Sequence, residues 1–155
     1  MNAEEERLVF LVESGETLCR ALAIFKEATN STEGILRDAA IEMALIEYAK
    51  PYKVSRGNHG KLTLSADRVP EKLKVTHECI LRMRDQFLAH SDMKPRDAVL
   101  SLRDHKGMRV RAIMQTYIKP IYEVGGIDAV VSLIESVLPG IYEEAEALEV
   151  KLRGG

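Results

Sequence analysis

Residues 4–28 read EEERLVFLVESGETLCRALAIFKEA. Apolar or small residues at Leu8, Leu11, Val12, Gly15, Leu18, Cys19, Leu22 and Phe25 recur in steps of three and four, which places them on one face of an α-helix. The spacing predicts a helix from about Glu4 to Ala28. Asn30 and Ser31, with Thr32 and Glu33 behind them, then offer stop and N-cap chemistry. A second helix follows, with Ile35 or Leu36, Ala39, Met43, Ile46 and Ala49 expected on its buried side, and Pro51 ends it. Two long helices joined by so short a link are expected to lie antiparallel.

Pro51 to Pro70, PYKVSRGNHGKLTLSADRVP, breaks the helical pattern. Glycines flank the pair Asn58 and His59 and an alternating KLTLS follows, so a loop with one short strand is expected there. Glu71 restarts a helix whose face at Leu73, His77, Ile80, Leu81, Arg84, Phe87 and Leu88 again follows the three-four rule. Val75, Cys79 and Met83 form a second, thinner apolar stripe on it. Beyond Lys94 and Pro95, the alternation in RVRAIMQ and the turn residues His105, Lys106 and Gly107 suggest a β-hairpin from about Ala98 to Thr116. A short helix from Ala98 to Arg103 is the alternative. From Gly126, Ile127, Val130, Val131, Ile134, Val137, Leu138 and Ile141 return to helical spacing, with Pro139 and Gly140 expected to kink or split the last helix. The fold class is therefore mainly α: an antiparallel bundle of four to five helices, with a small β-hairpin after the third, in a single domain covering residues 1–155.

A chain of 155 residues, 46% hydrophobic and 30% charged, has ordinary globular composition and the size of one compact domain. No apolar run approaches the roughly 18 to 20 residues of a membrane span, and the first residues are acidic where a secretory leader is basic, so a cytoplasmic protein without membrane contact is expected. Cys19 and Cys79 both fall in helical segments and read as reduced thiols. The net charge of −2 conceals a segregation: residues 1–50 carry −5, residues 51–111 carry +7 and residues 112–155 carry −4. The basic centre makes a locally positive site possible on an acidic chain.

The usual signs of catalysis are mostly missing. There is no phosphate loop with its Lys-Ser/Thr, no nucleophile-elbow serine and no paired-cysteine zinc framework, and neither a metal nor a cofactor is expected. His77 and Cys79 point to opposite sides of a helix, so His77 reads as a hydrogen-bonded core histidine. His59 and His105 read as turn residues. That leaves LRMRDQFLAHSDM, residues 81–93, where a long cation at Arg84 sits on an apolar helical face. Such a cation needs a buried partner, a ligand, or a rim position from which its head reaches water. His90 falls where the helix should end, before Ser91, Asp92 and Pro95, and can turn toward the same cleft.

Arg84-Asp85, then Gln86, Phe87, Leu88, Ala89 and His90, continuing into Ser91 and Asp92, resembles the motif of the HEPN superfamily of helical ribonucleases and nucleotide-binding proteins, above all its abortive-infection and toxin-like branches. The end of the second helix, IEYAKPYKVSRG, is similar to the aromatic-proline segment of those families. The resemblance covers residues 5 to 95. It implies a HEPN-like bundle and a metal-independent endoribonuclease of phage defence or toxin type. Arg84 and His90 would be the catalytic pair, supported by Asp85, Ser91 and Asp92, with two motifs facing each other in a homodimer. RNA or a nucleotide is the implied ligand and an antitoxin a possible protein partner. A non-catalytic HEPN-fold module binding a nucleotide or a protein is the alternative.

Overall fold

A computed structural model of the chain describes residues 1–85, 99–105, 108–114 and 119–154. The longest helix, α1 (Ala3–Asn30), is the axis on which the others assemble. Asn2 starts it: the backbone N–H groups of Glu4 and Glu5 each donate to Asn2 Oδ1 at 2.9 Å, and Asn2 N–H donates to the Glu5 carboxylate at 2.7 Å. This reciprocal box satisfies the free donors of the first turn. One side of α1 packs on α2 (Ile35–Ala49), which returns antiparallel after residues 31–34. The other side packs on α5 (Ile127–Arg153). Lys26 pairs with Glu135 at 2.7 Å, and Arg7 with Glu144 at 3.0 Å, so α1 and α5 also run in opposite directions. The third helix, α3 (Lys74–Met83), lies against both α2 and α5, and a single turn, α4 (Pro120–Glu123), leads into α5.

The core joins Leu11, Leu18, Ala21 and Phe25 of α1 to Ile41, Leu45 and Tyr48 of α2, Ile80 and Met83 of α3, and Val130, Leu133, Ile134, Val137 and Ile141 of α5. The face expected for α1 is therefore largely the buried one, with Val12 and Cys19 exposed at its flank. The face expected for α2 is buried only at its end, where Ala49 is fully covered and Ile46 half-buried. Ile35 and Leu36 are 84% and 83% exposed, Met43 is half exposed and Ala39 faces water, while Ile41, Ala44, Leu45 and Tyr48 are buried. The segment ILRDAAIEMALIEYA is apolar on nearly every side, so two three-four stripes overlap in it, and α1 and α3 cover the one carrying the large tyrosine. The expected cap of α2 is also corrected. Gly34 occupies the N-cap position without a side-chain bond, and Arg37 Nε reaches back 2.7 Å to the Ala28 carbonyl at the end of α1. Val75, expected on a covered stripe of α3, is 79% exposed, whereas Cys79 and Met83 of that stripe are buried.

Of the kink or split expected at Pro139, the split is overturned: α5 is one continuous helix from Ile127 to Arg153. Proline removes one helical hydrogen bond, and neighbours hold the helix on both sides of the loss. Lys26 grips Glu135 before it, while after it Arg68 Nη1 donates to the Gly140 carbonyl at 2.6 Å and Tyr142 lies over Gly15. Between α2 and α3 the chain forms not one strand but a ribbon of two, β1 (Ser55–Arg56) and β2 (Lys61–Leu62), paired antiparallel. After α3 stands the expected hairpin, β3 (Val99–His105) with β4 (Met108–Met114), in register from Val99 opposite Met114 to His105 opposite Met108. The helical alternative over Ala98–Arg103 is thereby overturned; Lys106 and Gly107 lie outside the described residues. Among the described residues no helix is long and apolar enough to cross a membrane.

Candidate functional site

The backbone of α3 continues through a π-helical turn at Arg84 and Asp85. Arg84 Nη1 donates to Asp85 Oδ1 at 3.0 Å, and Lys53 Nζ donates to Asp85 Oδ2 at 2.6 Å, so one carboxylate is shared by two cations. The hydrogen bond from Lys53 holds the Asp85 carboxyl below its ordinary range; burial opposes it, and the weaker hydrogen bond from Arg84 adds to the lowering. The trio keeps one net positive charge. The Arg84 side chain is about 30% exposed, yet its Nε is buried and has no hydrogen-bond partner among the described residues. In the exposed part of the guanidinium only Nη1 is engaged by a described residue, which leaves donors for an oxyanion.

What positions this trio is a ring cluster earlier on the same side of α3. The 3₁₀ turn Lys50–Pro51–Tyr52 that closes α2 buries Pro51 and lays the Tyr52 ring on His77, centroids 4.5 Å apart and edge to face. Tyr48 Oη and His77 Nδ1 are hydrogen-bonded at 2.7 Å in the core. Burial pushes the imidazole pKa down and both phenols up, so all three rings stay neutral. His77 is the core histidine its helical position implied. With Tyr52 seated on His77, the next residue, Lys53, is delivered to Asp85.

A second anchored feature follows directly. Glu6, buried on α1, projects into the turn of the β1–β2 ribbon, where the backbone N–H groups of Asn58 and His59 donate to its two carboxylate oxygens at 2.6 and 2.9 Å. The His59 ring lies 3.3 Å from the same carboxylate. The two backbone donors, His59 first, depress the Glu6 pKa. Gly57 is required for this approach: a Cβ there would stand 2.5 to 2.7 Å from the carboxylate atoms.

Of the residues singled out in the sequence, Arg84 and Asp85 are thus brought into one ion-paired cluster, while His90, Ser91 and Asp92 lie outside the described residues. Lys53 and Glu6 were not foreseen. Lys53 had only its place in the basic centre as a signal, and Glu6 read as one more acidic residue of a helix's first turns. Among the described residues no group of three or more His, Cys, Asp or Glu gathers as metal ligands would. No protein-family model matches the chain, and neither does any curated protein or solved structure.

Proposed function

We propose that the protein is a HEPN-type, metal-independent endoribonuclease acting in phage defence or as a toxin, with Arg84 and His90 as its catalytic pair at a two-fold dimer interface. The observation that supports this most is the partly exposed Arg84 guanidinium, engaged by a described residue through Nη1 alone, beside a Lys53–Asp85 pair at the end of α3. Metal-free cleavage of RNA needs a proton taken from a ribose 2′-hydroxyl, a proton given to the departing 5′-oxygen, and a cation on the phosphorane between them. Arginine supplies the cation in a fixed fork, and histidine near neutrality supplies either proton step. One imidazole does not readily perform both within a single step, so His90 accepts the proton and His90 of the partner subunit donates the other. Asp85 orients Arg84, with Ser91 and Asp92 in supporting roles.

The Arg84–Asp85 ion pair specifically favours a second reading, a HEPN-fold module that binds a nucleotide or a protein without cutting RNA, since the carboxylate competes with phosphate for the guanidinium. Cleavage separates the two. Purified protein, freed of any antitoxin, should cut single-stranded RNA with or without a chelator. His90→Ala should abolish cleavage and leave thermal stability nearly unchanged. Arg84→Lys should lose most of it, because an ammonium keeps the charge and not the fork. Intact RNA at micromolar wild-type protein transfers the assignment to the binding module.

A further inference from the structure

The β1–β2 ribbon carries a charge pattern that its own stability does not explain. Residues 50–66 hold four cations, Lys50, Lys53, Arg56 and Lys61, with His59 and no carboxylate. Lys50 is bound to Glu47 and Lys53 to Asp85. Arg56 and Lys61 are exposed, and neither makes an ion pair or hydrogen bond with a described residue. They are also directly opposite one another in the register. Cross-strand partners project from the same face, and here it is the face away from half-buried Leu62. Two like charges directly opposite destabilise a strand pair, and a ribbon this short is marginal in water even without them.

The fold nevertheless holds the ribbon firmly from behind. Glu6 clamps the tip through the backbone, Gly57 N–H donates to the Gly60 carbonyl at 2.8 Å, and Leu64 N–H donates to the Pro51 carbonyl at 2.8 Å to close the base. The carboxylate that touches the tip is thereby occupied by main-chain donors, and no described residue neutralises the outer cations. At the base, Lys53 leads to Asp85 and Arg84. Arg56 lies three residues beyond Lys53 in extended chain, a Cα span of about 10 Å, so the exposed Arg56–Lys61 pair stands within a few nucleotides' reach of the Arg84–Asp85–Lys53 trio and its one net positive charge. A like-charge pair held rigid before binding fits a flexible polyanion.

We propose that the β1–β2 ribbon is a phosphate-backbone guide for single-stranded RNA, in which Arg56 and Lys61 hold the strand that leads to Arg84. The inference deepens the ribonuclease reading and rests on its choice of RNA as the ligand. Its test is fluorescence anisotropy of the full-length protein with a short labelled single-stranded RNA, titrated at several salt concentrations. Arg56→Gln/Lys61→Gln should bind more weakly, with the slope of log K against log salt shallower by about 1.4, or about 0.7 for each phosphate contact removed from a single strand. Glu6→Gln, which deletes a negative charge but loosens the tip, should also weaken binding; tighter binding overturns a preorganised guide. An unchanged slope in the double variant overturns the proposal while leaving wild-type cleavage, and hence the nuclease reading, intact. Ribbon-dependent binding by a wild type that leaves RNA uncut supports the guide and removes the nuclease. Failure of the wild type to bind RNA, or equal competition by polyglutamate, overturns the guide as an RNA surface.

Discussion

Removing one oxygen atom, in Tyr48→Phe, tests whether the ring cluster behind Arg84 is held as described. Tyr48 is fully buried and His77 is 2% exposed, so the 2.7 Å bond between Tyr48 Oη and His77 Nδ1 has no water to replace it. The phenylalanine ring fills nearly the same space, and the cost is that of a stranded imidazole nitrogen, about 1 to 3 kcal/mol. In a chain of this size each kcal/mol lowers Tm by roughly 2 to 4 °C. Urea denaturation followed by circular dichroism at 222 nm, a wavelength of about the helical minimum, measures the loss directly. Replacing both partners, Tyr48→Phe/His77→Leu, removes the stranded group and should cost less than the sum of the single changes, by about 1 kcal/mol or more. The histidine adds a pH signature. Its folded pKa lies below the ordinary 6.5, so the unfolded chain binds the proton first, and stability contributed above 6.5 is lost as pH falls through that value toward the folded pKa. His77→Leu should flatten the slope in that window. A Tyr48→Phe protein within about 0.3 kcal/mol of wild type would refute the buried bond and with it the account of how Lys53 is placed.

Two further outcomes follow from the packing and the charges. On α2, Ile35→Ala and Leu36→Ala should each stay within about 0.5 kcal/mol of wild type, whereas Leu45→Ala on the covered stripe should cost about 2 to 5 kcal/mol in urea melts; the reverse order would restore the other face. At acid pH, the depressed Glu6 carboxyl contributes stability that is complete above its ordinary pKa of 4.5 and disappears as pH falls through the lower folded value. Wild type should therefore exceed Glu6→Gln in stability at neutral pH and converge with it in that acid window; a constant gap down to pH of about 2 would show that the ribbon clamp does not depend on the charge.

The elements themselves were legible along the chain because local rules set them. The three-four spacing of α1 and α5, proline at the end of α2, and alternation in β3 and β4 each act within a few residues. His77 as a core histidine followed from the same helical geometry. What failed were choices that a neighbour decides. α2 carries two apolar stripes, and only the packing of α1 and α3 selects Ile41, Leu45 and Tyr48 over Leu36, Ala39 and Met43. Pro139 looked like a break, but contacts from α1 and from Arg68 carry α5 across it. In the site, Arg84 stood out by its chemistry on an apolar face. Its link through Asp85 to Lys53, 32 residues away, and the clamp of Glu6 on a turn more than 50 residues distant, depend on distances in space. Periodicity encodes which side of a helix is apolar; which charges meet is decided only when the helices have packed.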